Sequence, residues 1–234
     1  MDVRKVIYCS RTHTQLSQFM GEVRRTEWGK GLKAVALASR KSMCVHDKIS
    51  KLQSATRVNA ACLDLMRGKE GKDAEATESS SEGKKKKKSG CPLADDMKRL
   101  DLRDIVLAEV QDIEDVVSQG KAMGACPYYA SRAAVRSAEL VCVPYTSLVH
   151  RGTREALGVS LEGNVVVIDE AHNLIDAVNE VHSACLPHAS IDVLKALFGG
   201  YLAKFQTRLS PGNVIKVKQV VAILHNFQTF LQRA

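Results

Sequence analysis

The sequence predicts an α/β fold with a parallel sheet, interrupted by a mostly helical, cysteine-bearing insert and followed by a helical segment. Short runs rich in Val and Ile alternate with stretches of helical periodicity, a Lys-rich segment breaks that alternation, and helical patterns follow the last strand. A chain of 234 residues that is 45% hydrophobic can bury a core, and one or two domains are expected.

The first elements alternate as an α/β fold requires. Val3–Cys9 is predicted to be a short buried strand, and Lys33–Ala38 a second one. Between them, apolar residues recur at the helical period, at Leu16, Phe19, Met20 and Val23. Strand, helix and strand at this spacing predict neighbouring parallel strands.

The middle of the chain differs in composition. Residues 67–90 are mostly Gly, Ser, Glu and Lys, which cannot bury enough apolar surface to offset their ordering entropy, so a disordered loop is predicted. The run Lys84–Lys88 suits a solvated loop, and a nuclear-import signal or a non-specific DNA contact are the alternatives. Helical character is predicted over Leu102–Val117, with core contacts at Ile105, Ala108, Ile113 and Val116.

The α/β pattern then returns. Tyr128–Ser137 is predicted to be helical, and Leu140–Val143 and Asn164–Ile168 are predicted strands. The unbroken Val-Val-Val-Ile run of the last strand is typical of a sheet covered on both faces. Helical patterns fill the rest of the chain.

Charge and cysteine content narrow the class of protein. The net charge of +8 favours an anionic partner such as nucleic acid. Seven cysteines at irregular spacings do not form the framework of a secreted disulfide scaffold. Because no window resembles a signal peptide or a membrane span, a reducing, intracellular compartment and no membrane partner are expected.

An acidic box, Asp169–His172, follows the last predicted strand. Carboxylates at the carboxyl edge of a parallel sheet lie where α/β folds bind ligands. Asp169 suits Mg²⁺ at nucleotide phosphates, Glu170 suits orienting or deprotonating a water, and His172 suits sensing the terminal phosphate. An arbitrary Asp-Glu pair at this position would only begin a helix. The full Asp-Glu-Ala-His sequence, however, resembles motif II of superfamily-two helicases.

A second motif lies near the start of the chain. Ile7–Leu16 resembles motif Ia of the same helicases, a strand-to-helix turn that contacts the DNA backbone. Ser10 and Thr12 offer hydroxyls and Arg11 a positive charge, all of which suit a phosphate. The alternative is an ordinary helix cap formed by Thr12.

Four cysteines lie between these two motifs, at Cys44, Cys62, Cys91 and Cys126. They form no Cys-x-x-Cys pair, which argues against a zinc ribbon, and by spacing alone they would be unrelated buried thiols. Their position resembles the four-cysteine 4Fe–4S domain inserted in XPD-like helicases. That resemblance implies that all four hold one cluster and that Arg40 supports it.

The resemblance covers essentially the whole chain, and within the XPD-like family the Lys-rich insert is most similar to the ChlR-type helicases of sister-chromatid cohesion. It implies part of a RecA-like motor domain, an Fe–S domain, the rest of the motor domain and the start of a helical Arch domain, at residues 1–40, 41–127, 128–172 and 173–234. It further implies an ATP- and Mg²⁺-dependent 5′-to-3′ DNA helicase acting on single-stranded or forked DNA in the nucleus.

The surface near Tyr128, Tyr129 and Arg132 is also predicted to contact single-stranded DNA, with the aromatic rings stacking on bases. The alternative is that both tyrosines pack inward and shield the cluster.

The sequence contains no Gly-x-x-x-x-Gly-Lys-Ser/Thr phosphate loop. We therefore expect a fragment that is inactive by itself and whose ATP and Mg²⁺ bind only in a longer protein. Two alternatives remain open at this point: a non-catalytic, DNA-binding Fe–S module from a truncated or duplicated gene, and a zinc-loaded structural domain that uses the same cysteines.

Overall fold

The computed structural model describes residues 4–73 and 90–233. The strands are β1 (Val6–Ser10), β2 (Ala34–Ala36), β3 (Leu140–Pro144) and β4 (Val165–Ile168). The helices are α1 (His13–Arg25), α2 (Arg40–Met43), α3 (Ala55–Asp73), α4 (Asp96–Ala108), α5 (Ile113–Met123), α6 (Pro127–Ala134), α7 (Tyr145–Val149), α8 (Arg151–Ala156), α9 (Leu174–His182), α10 (His188–Phe205) and α11 (Pro211–Arg233). Short 3₁₀ helices cover Glu27–Gly29 and Ala171–Asn173. The chain divides into two compact units between Val181 and His182.

The four strands form one parallel sheet in the order β2-β3-β1-β4. Val6 of β1 is in register with Leu140 on one side and Val165 on the other. All strands point the same way, so their carboxyl ends meet at one edge of the sheet. The predicted α/β class with a parallel sheet is confirmed.

The core of the first unit lies where helices cover the two central strands. Ile7 and Cys9 of β1 are buried, and so are Leu16 and Met20, one turn apart on α1. The same spacing made α1 predictable from the sequence, and the apolar stripe of a helix at this period is the face that packs on a sheet.

Coverage of β4 on both faces was predicted and is wrong. Val165 is 60% exposed and Val167 is 41% exposed, whereas Val166 and Ile168 pack against the core. Alternate residues of a strand point to opposite faces, so one face of β4 is open among the described residues. The strand lies at the end of this sheet, which the composition of its run does not reveal.

The helical character predicted over Leu102–Val117 is present as two helices, α4 and α5. Glu109 ends α4 in an extended conformation, and Asp112 caps α5 by accepting a hydrogen bond from the Asp115 amide. A short acidic side chain that bonds to the backbone competes with helix continuation and favours a new helix start.

The first part of the loop predicted over residues 67–90 is helical instead. Helix α3 continues from Ala55 to Asp73, because Lys and Glu are good helix formers and an isolated Gly weakens a helix without ending it. The rest of the predicted loop, including Lys84–Lys88, lies outside the described residues.

The second unit contains α10 and α11, which pack on each other around Ile191. Gln228 of α11 donates to Asp192 and accepts from Lys195, both on α10. The helical character expected after residue 173 is present in α9, α10 and α11, and its assignment to an Arch domain stays a prediction, as do the other domain boundaries. Within the described ranges, no helix is both long and apolar enough to cross a membrane.

Candidate functional site

Three chemically distinct groups meet at the carboxyl edge of the sheet. Ser10 ends β1 and Arg11 follows it, Tyr145 follows β3, and Asp169 follows β4. The backbone N–H of Asp169 donates to the carbonyl of Cys9 at 2.8 Å, which continues the strand pairing to the acidic box. The parallel topology therefore brings the two helicase-like motifs to neighbouring strand ends, as ligand sites of α/β folds require.

Asp169 lies beside the hydroxyl of Tyr8. Burial raises the pKa of Tyr8 well above its ordinary value, and interaction with the Asp169 carboxylate raises that pKa further. The Tyr8 ring stacks on Phe19 of α1 with ring centroids 3.6 Å apart. A tyrosine fixed in this way is a neutral hydrogen-bond donor to the carboxylate. The sequence reasoning did not identify Tyr8.

Glu170 has an unusual backbone conformation. Its φ of 51° lies in the left-handed region, and among the described residues it is the one residue other than glycine with a positive φ. A long side chain in this region carries backbone strain, and such strain is concentrated at functional sites. The carboxylate Oε2 lies 3.3 Å from Nδ1 of His172.

Asn173, directly after the acidic box, connects that box to the turn after β1. Its Oδ1 accepts a hydrogen bond from the Arg11 guanidinium at 3.3 Å, and its Nδ2 lies 2.9 Å from Nε2 of His172. Sequence reasoning missed Asn173, because its contact with Arg11 joins residues 162 positions apart.

Tyr145 brings a second hydroxyl to this edge. The residue is buried, and its hydroxyl has no hydrogen-bond partner among the described residues. Burial raises the pKa of Tyr145, and the nearby charges of Asp169 and Glu170 raise it further.

The turn after β1 is also a well-formed helix cap. Thr12 accepts a hydrogen bond from the Gln15 amide, and the Gln15 side chain accepts from the Thr12 amide, which is a capping box. Ser10 is fully buried and donates to Gln15 at 2.8 Å, so its hydroxyl is not available to a phosphate in this structure. Arg11 and Thr12 are exposed.

The four predicted cluster cysteines come from separate segments of the insert. Cys62 lies in α3, Cys44 ends α2, and Cys126 precedes α6. Burial raises the pKa of Cys44 and Cys91, and the nearby Cys62 thiol raises both further. Burial likewise raises the pKa of Cys126 to about 11, with smaller contributions from Cys91 and Cys62. Cys62 is thus within electrostatic range of the other three thiols, and Cys91 is also within range of Cys44 and Cys126.

Backbone hydrogen bonds at these thiols offset part of the effect of burial on their pKa values. Hydrogen bonds from backbone N–H groups lower the pKa values of three of the thiols. The donor is His46 at Cys44, Leu93 and Ala94 at Cys91, and Tyr128 and Tyr129 at Cys126. Hydrogen bonds to cysteine sulfur are a means by which proteins tune iron–sulfur centres. As placed, no three His, Cys, Asp or Glu side chains in the described part of the chain are grouped closely enough to hold a metal ion.

Arg40 joins the cysteine region to α6. Its guanidinium lies 4.3 Å from the Tyr128 ring centroid and bonds to the Tyr129 hydroxyl at 3.4 Å. Arg132 covers the Tyr128 ring at 3.2 Å, so two guanidinium groups flank one aromatic ring. Nε of Arg40 is buried with no hydrogen-bond partner in the described structure, and the Cys62 thiol is among its electrostatic neighbours.

The predicted DNA-contacting residues do not form one surface. Tyr128 is buried, Tyr129 is half-buried, and burial lowers the pKa of Arg132 to about 10. Arg132 lines a cavity of about 420 Å³ with Arg4, Lys5, Arg136 and Asn164. That cavity adjoins the starts of β1 and β4, whereas Arg11 follows the carboxyl end of β1.

A parallel sheet with this acidic box at its carboxyl edge is typical of nucleotide-hydrolysing motor domains, and similarity to known proteins identifies the family. The family model described as DEAD_2 matches residues 8–191, so the chain belongs to the DEAD_2 family. It is 38% identical over 229 residues to the protein named ATP-dependent DNA helicase DDX11 of Mus musculus, an alignment covering 98% of this chain and 25% of that protein. It is 36% identical over 253 residues to ATP-dependent DNA helicase chl1 of Aspergillus clavatus, covering 99% of this chain and 33% of that protein.

Solved structures agree with the fold. The chain matches a structure named Truncated XPD with a TM-score of 0.51 and 17% identity, covering 94% of this chain and 52% of that one. A structure named XPD_Helicase matches with a TM-score of 0.51 and 19% identity, covering 88% and 32%. The predicted resemblance to the XPD-like family and its ChlR-type branch is confirmed. The chain spans 25% of the mouse relative and 33% of the Aspergillus relative.

Proposed function

We propose that this chain is a segment of an ATP-dependent 5′-to-3′ DNA helicase that acts on single-stranded or forked DNA. One observation carries the proposal: the pair Asp169 and Glu170 lies at the same sheet edge as the basic turn at Arg11. An acidic pair can hold Mg²⁺ and orient the water for nucleotide hydrolysis, and a basic turn can bind the phosphates of a DNA backbone. The relatives named as ATP-dependent DNA helicases support the same activity, and the family resemblance supports the polarity.

Each carboxylate of the acidic box has its own role in the proposed reaction. Asp169 would hold Mg²⁺, an ion that neutralises charge on nucleotide phosphates when it is bound. The neutral Tyr8 hydroxyl orients the Asp169 side chain. Glu170 orients the attacking water and accepts its proton, and His172 lies against the Glu170 carboxylate.

Hydrolysis is tested in a protein extended to the length of its relatives. We expect Glu170→Gln to abolish ATP turnover and to leave nucleotide binding largely intact, because the amide cannot accept the water proton. Glu180→Gln, an exposed residue on α9, is the control and should turn over ATP normally. Turnover that survives Glu170→Gln would contradict the role given to Glu170, whereas an extended wild-type protein without turnover would support the rival hypothesis of a non-catalytic DNA-binding module. Residues 1–234 alone should hydrolyse no ATP, and DNA-stimulated hydrolysis by them would contradict that expectation.

We further propose that Cys44, Cys62, Cys91 and Cys126 hold one 4Fe–4S cluster. Their mutual electrostatic interaction and the backbone N–H groups at three of the sulfurs support it. Such a cluster, when bound, cross-links the segments that carry its cysteines. Arg40 supports those segments by packing on Tyr128 and bonding to Tyr129.

The cluster proposal is tested by a matched set of cysteine variants. Serine at any of the four ligand positions should bleach protein purified without oxygen, because serine removes a thiolate ligand. Serine at Cys142, which is buried in β3, and at Cys185, which is exposed, should leave the colour unchanged. Bleaching by the Cys142 change with an intact fold would refute the ligand assignment.

For DNA, we propose that Arg11 and Thr12 grip the phosphate backbone and that Tyr129 and Arg132 contact the strand elsewhere. Ser10 and Tyr128 are left out, because both are buried. Binding of an oligothymidylate should weaken as salt rises, with a logarithmic slope of about −0.7 for each single-strand phosphate neutralised.

The DNA test compares the wild-type chain, Arg11→Ala and a deletion of Lys84–Lys88. Arg11→Ala should lower both the affinity and the salt slope. If only the lysine deletion lowers affinity, binding is non-specific electrostatics and the helicase-like turn is not the site.

The cellular role follows from the ChlR-type branch. We propose a nuclear protein that acts in genome maintenance, DNA repair and sister-chromatid cohesion. The Lys84–Lys88 run is the candidate import signal. A fluorescently tagged chain should lose nuclear accumulation when these lysines become glutamines, and unchanged distribution would remove the run from the proposal.

A further inference from the structure

Four side chains form a continuous chain of contacts from the turn after β1 to the acidic box. The guanidinium of Arg11 donates to Asn173 Oδ1 at 3.3 Å, and Asn173 Nδ2 lies 2.9 Å from His172 Nε2. His172 Nδ1 lies 3.3 Å from Glu170 Oε2. This series of contacts begins at Arg11, the proposed DNA contact, and ends at Glu170, the proposed base of hydrolysis.

The direction of every hydrogen bond in this chain is set at Arg11. A guanidinium only donates, so the amide of Asn173 must present its oxygen to Arg11 and its nitrogen to His172. The same amide nitrogen also donates to the backbone carbonyl of Glu170 at 3.4 Å. Because an amide nitrogen cannot accept, Nε2 of His172 is the acceptor and carries no proton. The ring proton is therefore on Nδ1, where it is donated to the Glu170 carboxylate.

We propose that Asn173 is a positioning residue that reports phosphate binding at Arg11 to Glu170 by setting the tautomer of His172. This inference rests on the proposed function, in which Arg11 grips the strand and Glu170 accepts a proton from water. Without DNA, the Nδ1–H of His172 occupies the Glu170 carboxylate. In that contact the Glu170 carboxylate accepts a hydrogen bond from His172, so it is not free to accept one from the attacking water.

A phosphate of single-stranded DNA reverses this arrangement. Charge-assisted bonds between a guanidinium and a phosphate are stronger than a bond to a neutral amide, so Arg11 leaves Asn173. The Asn173 amide can then turn its oxygen to His172, which favours a proton on Nε2. Water carries one proton from Nδ1 to Nε2, so the net charge is unchanged. Glu170 loses its donor and is free to accept from the attacking water.

The exposure of these groups determines what the chain of contacts can do. The His172 side chain is 71% exposed and that of Glu170 is 49% exposed, so the contact contributes little to stability. Solvent can reach the imidazole, and changes at Asn173 should leave the fold intact. The contribution of Asn173 is therefore the direction of the hydrogen bonds, which spectroscopy can measure separately from folding.

The test uses ¹⁵N-labelled residues 1–234, in which ring-nitrogen shifts report the tautomer of His172. A His172→Gln variant assigns the signal. The wild-type chain should show the Nδ1–H tautomer. Asn173→Asp is nearly isosteric but offers only acceptors, so it should place a proton on Nε2 of His172. An Nε2–H tautomer in the wild-type chain without DNA overturns the inference.

Oligothymidylate is then added while its binding is followed by fluorescence anisotropy. Wild-type His172 should shift toward the Nε2–H tautomer as binding saturates, and Arg11→Gln should show no such shift. Binding without any tautomer change overturns the proposed role of Asn173 but does not contradict the proposed DNA contact at Arg11. Absence of binding overturns the proposed DNA contact at Arg11. It also overturns the role of Asn173, because that role depends on phosphate binding at Arg11. An equal tautomer change in Arg11→Gln also overturns the inference, because the signal would not pass through Arg11.

Discussion

Replacing Glu170 with Asn should stabilise the protein while it removes the proposed base. Glu170 has a φ of 51°, and a left-handed conformation costs an ordinary L residue roughly 1–2 kcal/mol. Asn tolerates this region, because its short polar side chain bonds locally. Relief of about 1 kcal/mol should raise the melting temperature of a unit of this size by about 2–4 °C. Differential scanning calorimetry of residues 1–234 measures this change.

Glu170→Gln is the matched control for this prediction. It removes the charge and keeps the length and the backbone strain. Both variants lose the contact between His172 and the Glu170 carboxylate, an exposed contact worth about 0–1 kcal/mol. The difference in melting temperature between Asn and Gln therefore isolates the backbone term. If Asn melts at the same temperature as Gln or below it, the backbone at position 170 is not strained.

Three further changes test the packing and the electrostatics of the first unit. Leu102→Ala should lower the free energy of unfolding by about 2–5 kcal/mol because it opens a cavity, while Ile105→Ala, at a site 37% exposed, should cost clearly less in the same urea titration. Burial lowers the pKa of His13 below its ordinary value of 6.5, so the unfolded state binds more protons and stability should fall as the pH drops below about 6.5. His13→Gln should lose less stability over that range, and parallel pH profiles of the two proteins would show that His13 is not responsible. Tyr145→Phe should leave stability unchanged or raise it by about 1–3 kcal/mol, because it removes a buried hydroxyl without a partner, and a clear loss in thermal melts would mean that the hydroxyl has one.

The sequence predicted the sheet because its signals are local. A strand followed by helical spacing predicted β1 and α1, and the acidic box after a Val-rich run predicted the end of β4. The open face of β4 could not be predicted in the same way. Whether Val165 is covered depends on which strands and helices lie beside it, and a hydrophobic run is the same in either case.

The helices of the insert show the same limit. Periodicity predicted core contacts at Ile105 and Ala108, but both are exposed, and Leu102 and Val106 are buried instead. The break before Asp112 depends on a cap, and a single Asp inside a helical pattern is a weak signal.

At the candidate site, the sequence indicated residues but not their contacts. Asp169, Glu170 and Arg11 belong to recognisable motifs, whereas Asn173 became visible only when the sheet brought it to Arg11. The left-handed conformation of Glu170 is also invisible in the sequence, since Glu is not a residue that favours it.

We propose that this chain carries the iron–sulfur domain of an XPD-like helicase, and the metal content of residues 1–234 purified without oxygen tests this proposal most directly. Elemental analysis and visible absorption should find a brown protein with about four iron atoms per chain, bound through its four insert cysteines. Serine at Cys44 should remove both the iron and the colour. A colourless protein that contains zinc, or iron that survives the Cys44 change, would contradict the claim.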